Sequence, residues 1–221
     1  MDSGKLEPVK FVPMSPQALA RRLARWIDHL DGRRLRVGFD GFAEAGSTAL
    51  AEQVAVELTA LQRPSVVVST DWWWRPAALR LEYGRQDQES RLSGWVDTGS
   101  LTREVVDPLG PAGSGRHLTK LRDAGSDRAI RQAYQQAPSN SVLLLAGEML
   151  LGHGFAFDAV VRLGVSAGAV RRALPEVRHW ELAAFDTYRE LHWLGPEKPG
   201  NLVVLSYDHP ATPAVHGLDL R

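Results

Sequence analysis

The sequence predicts an α/β fold: a three-layer sandwich in which a mainly parallel sheet of about five strands carries helices on both faces. Three observations predict it. Short apolar runs such as Val66-Val67-Val68 and Leu143-Leu144-Leu145 read as strands buried on both faces. These runs alternate with stretches in which leucine, valine and alanine recur at helical spacing. One junction between them is a glycine-framed loop, Gly41 to Thr48, in the order strand, glycine turn, helix.

Residues 1–14 hold two prolines and no periodicity, and read as an N-terminal arm before a single domain over 15–221. Ser15-Pro16 reads as an N-cap with proline at the first helical position. The helix it opens places Leu19, Leu23, Trp26, Ile27 and Leu30 on one face, and Asp31-Gly32 closes it. Leu35 to Phe39 is the first buried strand. After the glycine loop, Leu50, Val54, Leu58 and Leu61 mark a helix, and Ser65 to Ser69 is a β-branched strand. Residues 71–140 are irregular, with one helix expected over 99–106 and a long loop around 110–115; loops of that length are usually functional or mobile. Val142 to Ala146 and Phe157 to Val165 read as further strands, 166–194 as helical, and Leu202 to Leu205 as the last strand.

Lys+Arg and Asp+Glu each total 26, so no net charge draws the chain toward nucleic acid or membranes. Only four basic residues are lysines (Lys5, Lys10, Lys120, Lys198), which leaves phosphate contacts mostly to arginine. The absence of cysteine excludes disulfides, thiolate catalysis and cysteine-ligated zinc. Seven histidines lack metal-ligand spacing, and no G-x-S-x-G elbow supports a serine hydrolase. No apolar run is long enough to span a bilayer, and the N-terminus does not read as a signal peptide, so a soluble cytoplasmic protein is expected. Trp26 and Trp95 suit an interface as readily as a core, which leaves room for a homo-oligomer.

The loop carries the chemistry. It meets the phosphate-loop pattern G-x-x-x-x-G-K-[ST] at Gly41, Gly46 and Thr48, but Ser47 stands where the lysine belongs. Such a loop holds phosphates on backbone N–H groups at a helix N-terminus, here from Gly41 through Glu44, Ala45, Gly46, Ser47 and Thr48. Asp71 follows the second strand, where ligands of open α/β sheets bind, and suits either a general base or a helix cap. Of the three consecutive tryptophans, Trp72, Trp73 and Trp74, one or two belong to the core and one could stack on a planar ligand. Gly113 to His117 is a flexible stretch with a basic end that suits either a phosphate contact or a surface turn.

In the order of these features, residues 34–206 resemble the uridine kinase-like branch of the P-loop NTPases. The loop at Gly41 to Thr48, the strand ending at Asp71 before aromatics, Tyr83-Gly84-Arg85, Asp107 to Pro111, and the strand Val142 to Ala146 leading to Glu148 carry the resemblance. It implies transfer of the γ-phosphoryl of ATP, with Mg2+, to a hydroxyl of a nucleoside-like small molecule. Thr48 would then contact the metal and Asp71 would activate the acceptor. Arg171, Arg172 or Arg178 would close a lid over 166–195, with Arg172 taken as the catalytic lid arginine. Residues 71–140 would form the acceptor region, with Trp73, Tyr83, Arg85 and Arg116 touching the acceptor.

The departures are as specific as the matches. Ser47 replaces the lysine, Ala146 replaces the strand-end carboxylate, and Glu44 adds a negative charge inside the loop. By the scale for one preorganised charge-stabilising donor, the lost lysine alone costs about 3–4 kcal/mol of transition-state stabilisation. Glu148 lies two residues past the strand position and, by strand geometry, is expected to aim elsewhere. Two readings follow: a uridine kinase-like protein with an eroded transfer site that binds a nucleotide or phosphate weakly, and an active kinase in which Arg116, Lys120 or a lid arginine replaces the lysine.

Overall fold

All six residues of the strand β8 (Val142–Gly147) are buried, and alternate side chains enter two different cores. Val142, Leu144 and Ala146 join Leu19, Leu23, Ile27, Val37, Phe39, Leu50 and Leu58 on one face. Leu143 and Leu145 join Val68, Trp73, Leu101, Val105 and Leu109 on the other. A continuous apolar run thus makes this strand the middle of three layers.

The computed structural model describes residues 12–123, 125–194 and 200–216. Before β8 come β1 (Val12–Pro13), α1 (Pro16–Asp28), β2 (Leu35–Asp40), α2 (Ser47–Ala60), β3 (Ser65–Ser69), α3 (Ala77–Arg80) and α4 (Thr98–Leu101). Two small ribbons pair β4 (Arg116–His117) with β7 (Gln135–Gln136), and β5 (Arg122–Asp123) with β6 (Arg128–Ala129). After β8 come β9 (Ala159–Gly164), α5 (Ala167–Ala173), α6 (Leu182–Tyr188), β10 (Leu202–Ser206) and β11 (Ala214–His216). The main sheet has the order β1-β11-β10-β9-β2-β8-β3. The five strands from β10 to β3 are parallel, as expected, and β11 and β1 extend that edge antiparallel. Val12–Pro13, part of the expected arm, is therefore an edge strand, while residues 1–11 lie outside the described residues.

The caps agree with the sequence. Ser15 Oγ accepts the Ala18 N–H at 3.2 Å with Pro16 in the first turn, and α1 packs on α2 across the outer face. Two helical expectations are corrected. The helix over 99–106 is α4 followed by a π-helical turn, Thr102–Val106. The stretch 166–194 is not continuous: Pro175 follows α5, a 3-10 segment spans Glu176–Glu181, and α6 runs into a π-helical turn at Arg189–Trp193. The loop around 110–115 is pinned, with Gly115 N–H on Pro108 O at 2.8 Å and the Arg34 guanidinium donating to Gly113 O. Among the described residues no helix is long and apolar enough to cross a membrane.

Leu144, fully buried at the centre of this sheet, gives the direct test of the layering. Leu144→Ala is expected to lower the unfolding free energy by about 2–5 kcal/mol in urea titration. A loss below about 1 kcal/mol would place the core elsewhere.

Candidate functional site

The parallel register brings the ends of three strands to one edge: Asp40 lies opposite Gly147 and Arg162, and Ser69 opposite Ala146. The glycine loop leaves β2 there, where open α/β sheets bind ligands. Gly41 N–H bonds Gly147 O at 3.1 Å, and a Cβ at Gly41 would come within 2.7 Å of Leu163 Cβ, so only glycine fits. Gly46 closes the loop at φ +80°, again a glycine conformation, and is the uncapped start of α2.

Between these glycines the loop folds on itself. Ala43–Ala45 form a single 3-10 turn in which Ala45 N–H bonds Phe42 O at 2.9 Å and Gly46 N–H bonds Ala43 O at 2.8 Å. An anion nest needs successive N–H groups aimed outward from alternating right- and left-handed residues. Ala43, Glu44 and Ala45 instead form the compact right-handed turn, which directs the Ala45 and Gly46 donors inward. The Ala43 N–H does point into the mouth, and its acceptor is Glu148 Oε1 at 2.9 Å. Met149, at φ +58°, turns the chain immediately after Glu148.

Glu148 is one link of a closed chain. Its other oxygen receives Arg91, and Arg91 Nε donates to Glu181 Oε2 at 2.6 Å. Arg178 holds the same carboxylate through Nε on Oε1 at 2.6 Å and Nη2 on Oε2 at 2.9 Å, and its Nη1 reaches Glu44 in the loop. Glu44 adjoins Ala43, so the ring returns to where it began. Arg91 sits on a π-helical turn, Ser90–Gly94, between the Trp95 and Phe185 rings, and both Arg91 and Glu181 are buried. Phe42 packs edge-on against Phe185 at 4.6 Å, which fixes the loop to α6 as well.

These contacts set the charge states. Burial pushes Glu181 up, but the hydrogen bonds and charges of Arg178 and Arg91 outweigh it and hold the carboxyl below its ordinary value of 4.5. Glu44 lies above its ordinary value, chiefly from burial, with Arg178 pulling the other way. Asp71 is raised by desolvation and then by the Glu148 carboxylate, although the residue is exposed and solvent screens part of this. A narrow cleft of about 10 Å³ lies among Asp71, Glu148, His153, Trp74, Trp95 and Arg91. Burial, then Arg91, lowers His153 to about 4, so its imidazole is neutral near pH 7. A second hollow, behind the loop, is walled by Phe42, Met149, Val170 and Phe185. Its polar wall is Asp40, fully buried, which accepts from Trp193 Nε1 at 2.8 Å and Leu150 N–H at 3.1 Å.

Several expected residues converge. Gly41, Glu44, Ala45, Gly46, Ser47 and Thr48 form the loop and helix start, and Asp71 stands at the same mouth, its N–H on Ser69 Oγ while the Thr48 hydroxyl lies 3.4 Å from that oxygen. Others do not. Trp73 is a core residue with its Nε1 on Thr119 O, so Trp74 rather than Trp73 lines the cleft. Arg172 is exposed on α5, folded over Gly168 and near Asp208; Arg178 is the arginine that reaches the loop. Tyr83 and Arg85 are exposed outside the ring, with Tyr83 beside Arg75 and Asp87. Arg116 stacks on Tyr134 next to the Gly115–Arg34 contact, by the end of β2 opposite to the loop. Lys120 lies over the Trp72 ring, 3.9 Å from its centroid. Arg91 and Glu181 had no sequence signal, and Glu148 turns inward against its expected direction.

The first turn of the loop, as it stands, has most of its donors occupied. Ser47 at the lysine position is buried, and the Ala43, Ala45 and Gly46 N–H groups already have acceptors. Among the described residues no three His, Asp or Glu side chains come together to hold a metal ion.

Because Glu181 is held below 4.5, its contribution to stability is complete above that pH and is lost as pH falls through the lower folded value. Glu181→Gln is expected to cost about 3–5 kcal/mol near neutral pH by leaving the buried Arg91 and the half-buried Arg178 short of a partner. The wild-type advantage should shrink on acidification below pH 4.5 in urea melts; an advantage independent of pH would contradict the ring's charge assignment.

No protein-family model matches the chain, and no curated protein does. Solved structures do. A possible uridine kinase from Bacillus stearothermophilus superposes with a TM-score of 0.67 at 20% identity, over 84% of this chain and 98% of that one. A protein described provisionally as a fructose transport system kinase, from Silicibacter sp. TM1040, superposes with a TM-score of 0.55 at 22% identity, over 80% and 89%. Loop, strand order and these neighbours together establish that the chain has the fold of the uridine kinase-like P-loop kinases.

Proposed function

We propose that this protein is a uridine kinase-like P-loop protein with an eroded transfer site, binding a nucleotide or phosphate weakly and turning it over slowly or not at all. The observation that carries the reading is the Glu148 carboxylate on the Ala43 N–H, in a loop whose lysine is Ser47. Three glutamates face two arginines in this mouth, and Asp71 adds a further carboxylate. A phosphoryl-transfer site needs the opposite balance, because charge on the transferred group must be offset by preorganised cations and donors. The kinase-like neighbours support nucleotide binding by analogy of fold.

The test is calorimetric titration with ATP, with and without Mg2+, together with an assay of ADP formation in the presence of nucleosides. Millimolar or weaker binding that Mg2+ does not tighten, with no ADP above background, is expected. Tight, Mg2+-dependent binding with ADP formation would instead favour an active kinase in which Arg178 supplies the missing charge. In that case Asp71, raised and at the mouth, is the candidate base, and Asp71→Asn would abolish turnover.

A further inference from the structure

The ring joins four separate parts of the chain. Ala43 and Glu44 belong to the loop, Glu148 to the end of β8, Arg91 to the π-helical turn Ser90–Gly94, and Arg178 and Glu181 to the segment between α5 and α6. Two further contacts bind the last two parts: Gln88 Nε2 donates to Trp180 O, and Trp95 packs against Trp180. The loop's outward donor and the lid segment's cations are therefore satisfied by the same set of carboxylates. Glu44 Oε2 is buried without a hydrogen-bond partner, so the ring is one donor short at its loop end. Breaking the ring at either carboxylate of the loop end leaves an arginine in need of an anion.

We propose that Glu148 is a built-in plug of the loop and that the ring is a latch: an oxyanion taking the Ala43 N–H displaces Glu148, and Arg91 and Arg178 exchange Glu148 and Glu44 for that anion, so that the ligand itself holds the lid segment to the loop. This rests on reading the loop as a phosphate-type site held shut. The ligand class is a tetrahedral oxyanion, because such a group offers acceptors to the loop donor and both guanidinium groups at once, whereas Glu148 offers one oxygen to the loop and one to Arg91. No metal is required for the exchange.

The experiment measures pyrophosphate binding without metal, and amide hydrogen exchange over 176–193, in the full chain. Glu148→Ala removes the plug; Glu44→Gln, half-buried and less disruptive, breaks the ring at its loop end. Glu52→Gln, on the exposed side of α2, is the control. Pyrophosphate affinity is expected to rise at least about tenfold in Glu148→Ala, the scale of one charged hydrogen-bond competitor removed, and by less in Glu44→Gln. Exchange over 176–193 should quicken in both variants when free of ligand, and slow again when they are saturated with pyrophosphate. Unchanged affinity with a loosened lid would overturn the plug and leave a structural brace. A tighter site with an unchanged lid would overturn the latch, and no change in either variant would overturn both. Turnover of ATP by Glu148→Ala would sink the non-catalytic reading above while leaving the plug intact.

Discussion

The site depends on charge compensation in a mouth from which water is partly excluded. Arg91 and Glu181 are buried, and a buried ion left without its partner costs several kcal/mol. Once Arg91 is brought to the end of β8, a carboxylate must accompany it, and Glu148 and Glu181 supply two. Arg178 balances Glu181 and reaches on to Glu44, so no member of the chain can leave without stranding a neighbour. The single loop donor that faces this network is held by the same logic. The loop donor is already taken by a side chain, and with three glutamates set against two arginines a polyanion entering the mouth meets carboxylates before it meets free cations.

The fold does not depend on that chemistry. The alternation along β8 feeds both cores, and the packing of α1 on α2 and of α2 on the sheet is made from leucine, valine and alanine, without a contribution from the loop's donors. This is why the architecture is shared, at 20% identity, with a structure described as a possible uridine kinase. Core pattern and site chemistry are separate constraints on one chain.

The same separation explains what could be read from the residues. The five parallel strands were legible because each is a mainly apolar run, broken only by Arg36 in β2 and Arg162 in β9 or bounded by polar ends, and α1 because Ser15, Pro16 and the leucine spacing agree. The strand pair β1 and β11, two and three residues long, is set by pairing with β10 and carries no pattern of its own. The loop and Asp71 meet at one mouth because the strand ends fix them there. Arg178 could not be separated from Arg172 by helical phase, because the break at Pro175 resets the direction of every side chain after it. Glu148 turned inward because the strand stops at Gly147 and Met149 takes a left-handed conformation, so alternation no longer governs. Arg91 lies in an irregular region where only tertiary packing against Trp95 and Phe185 gives it a position. Trp73 and Trp74 differ by one residue in a 3-10 turn, and which of them is core was set by Thr119 and Val96 across the gap.

What the ring leaves open is a matter of competition. A tethered carboxylate acts at a high effective concentration, so a free ligand displaces it only by making more contacts than it does. Glu148 satisfies one backbone donor and one arginine, and it does so with Arg91 already stacked between Trp95 and Phe185 and needing little reorganisation. A monocarboxylate ligand gains nothing over it. A group with three or four acceptor oxygens gains Arg178 as well, at the cost of separating Arg178 from Glu44 and Glu181. The preference of this mouth is therefore decided by acceptor count and geometry set against net charge, whose opposition grows with the charge of the anion.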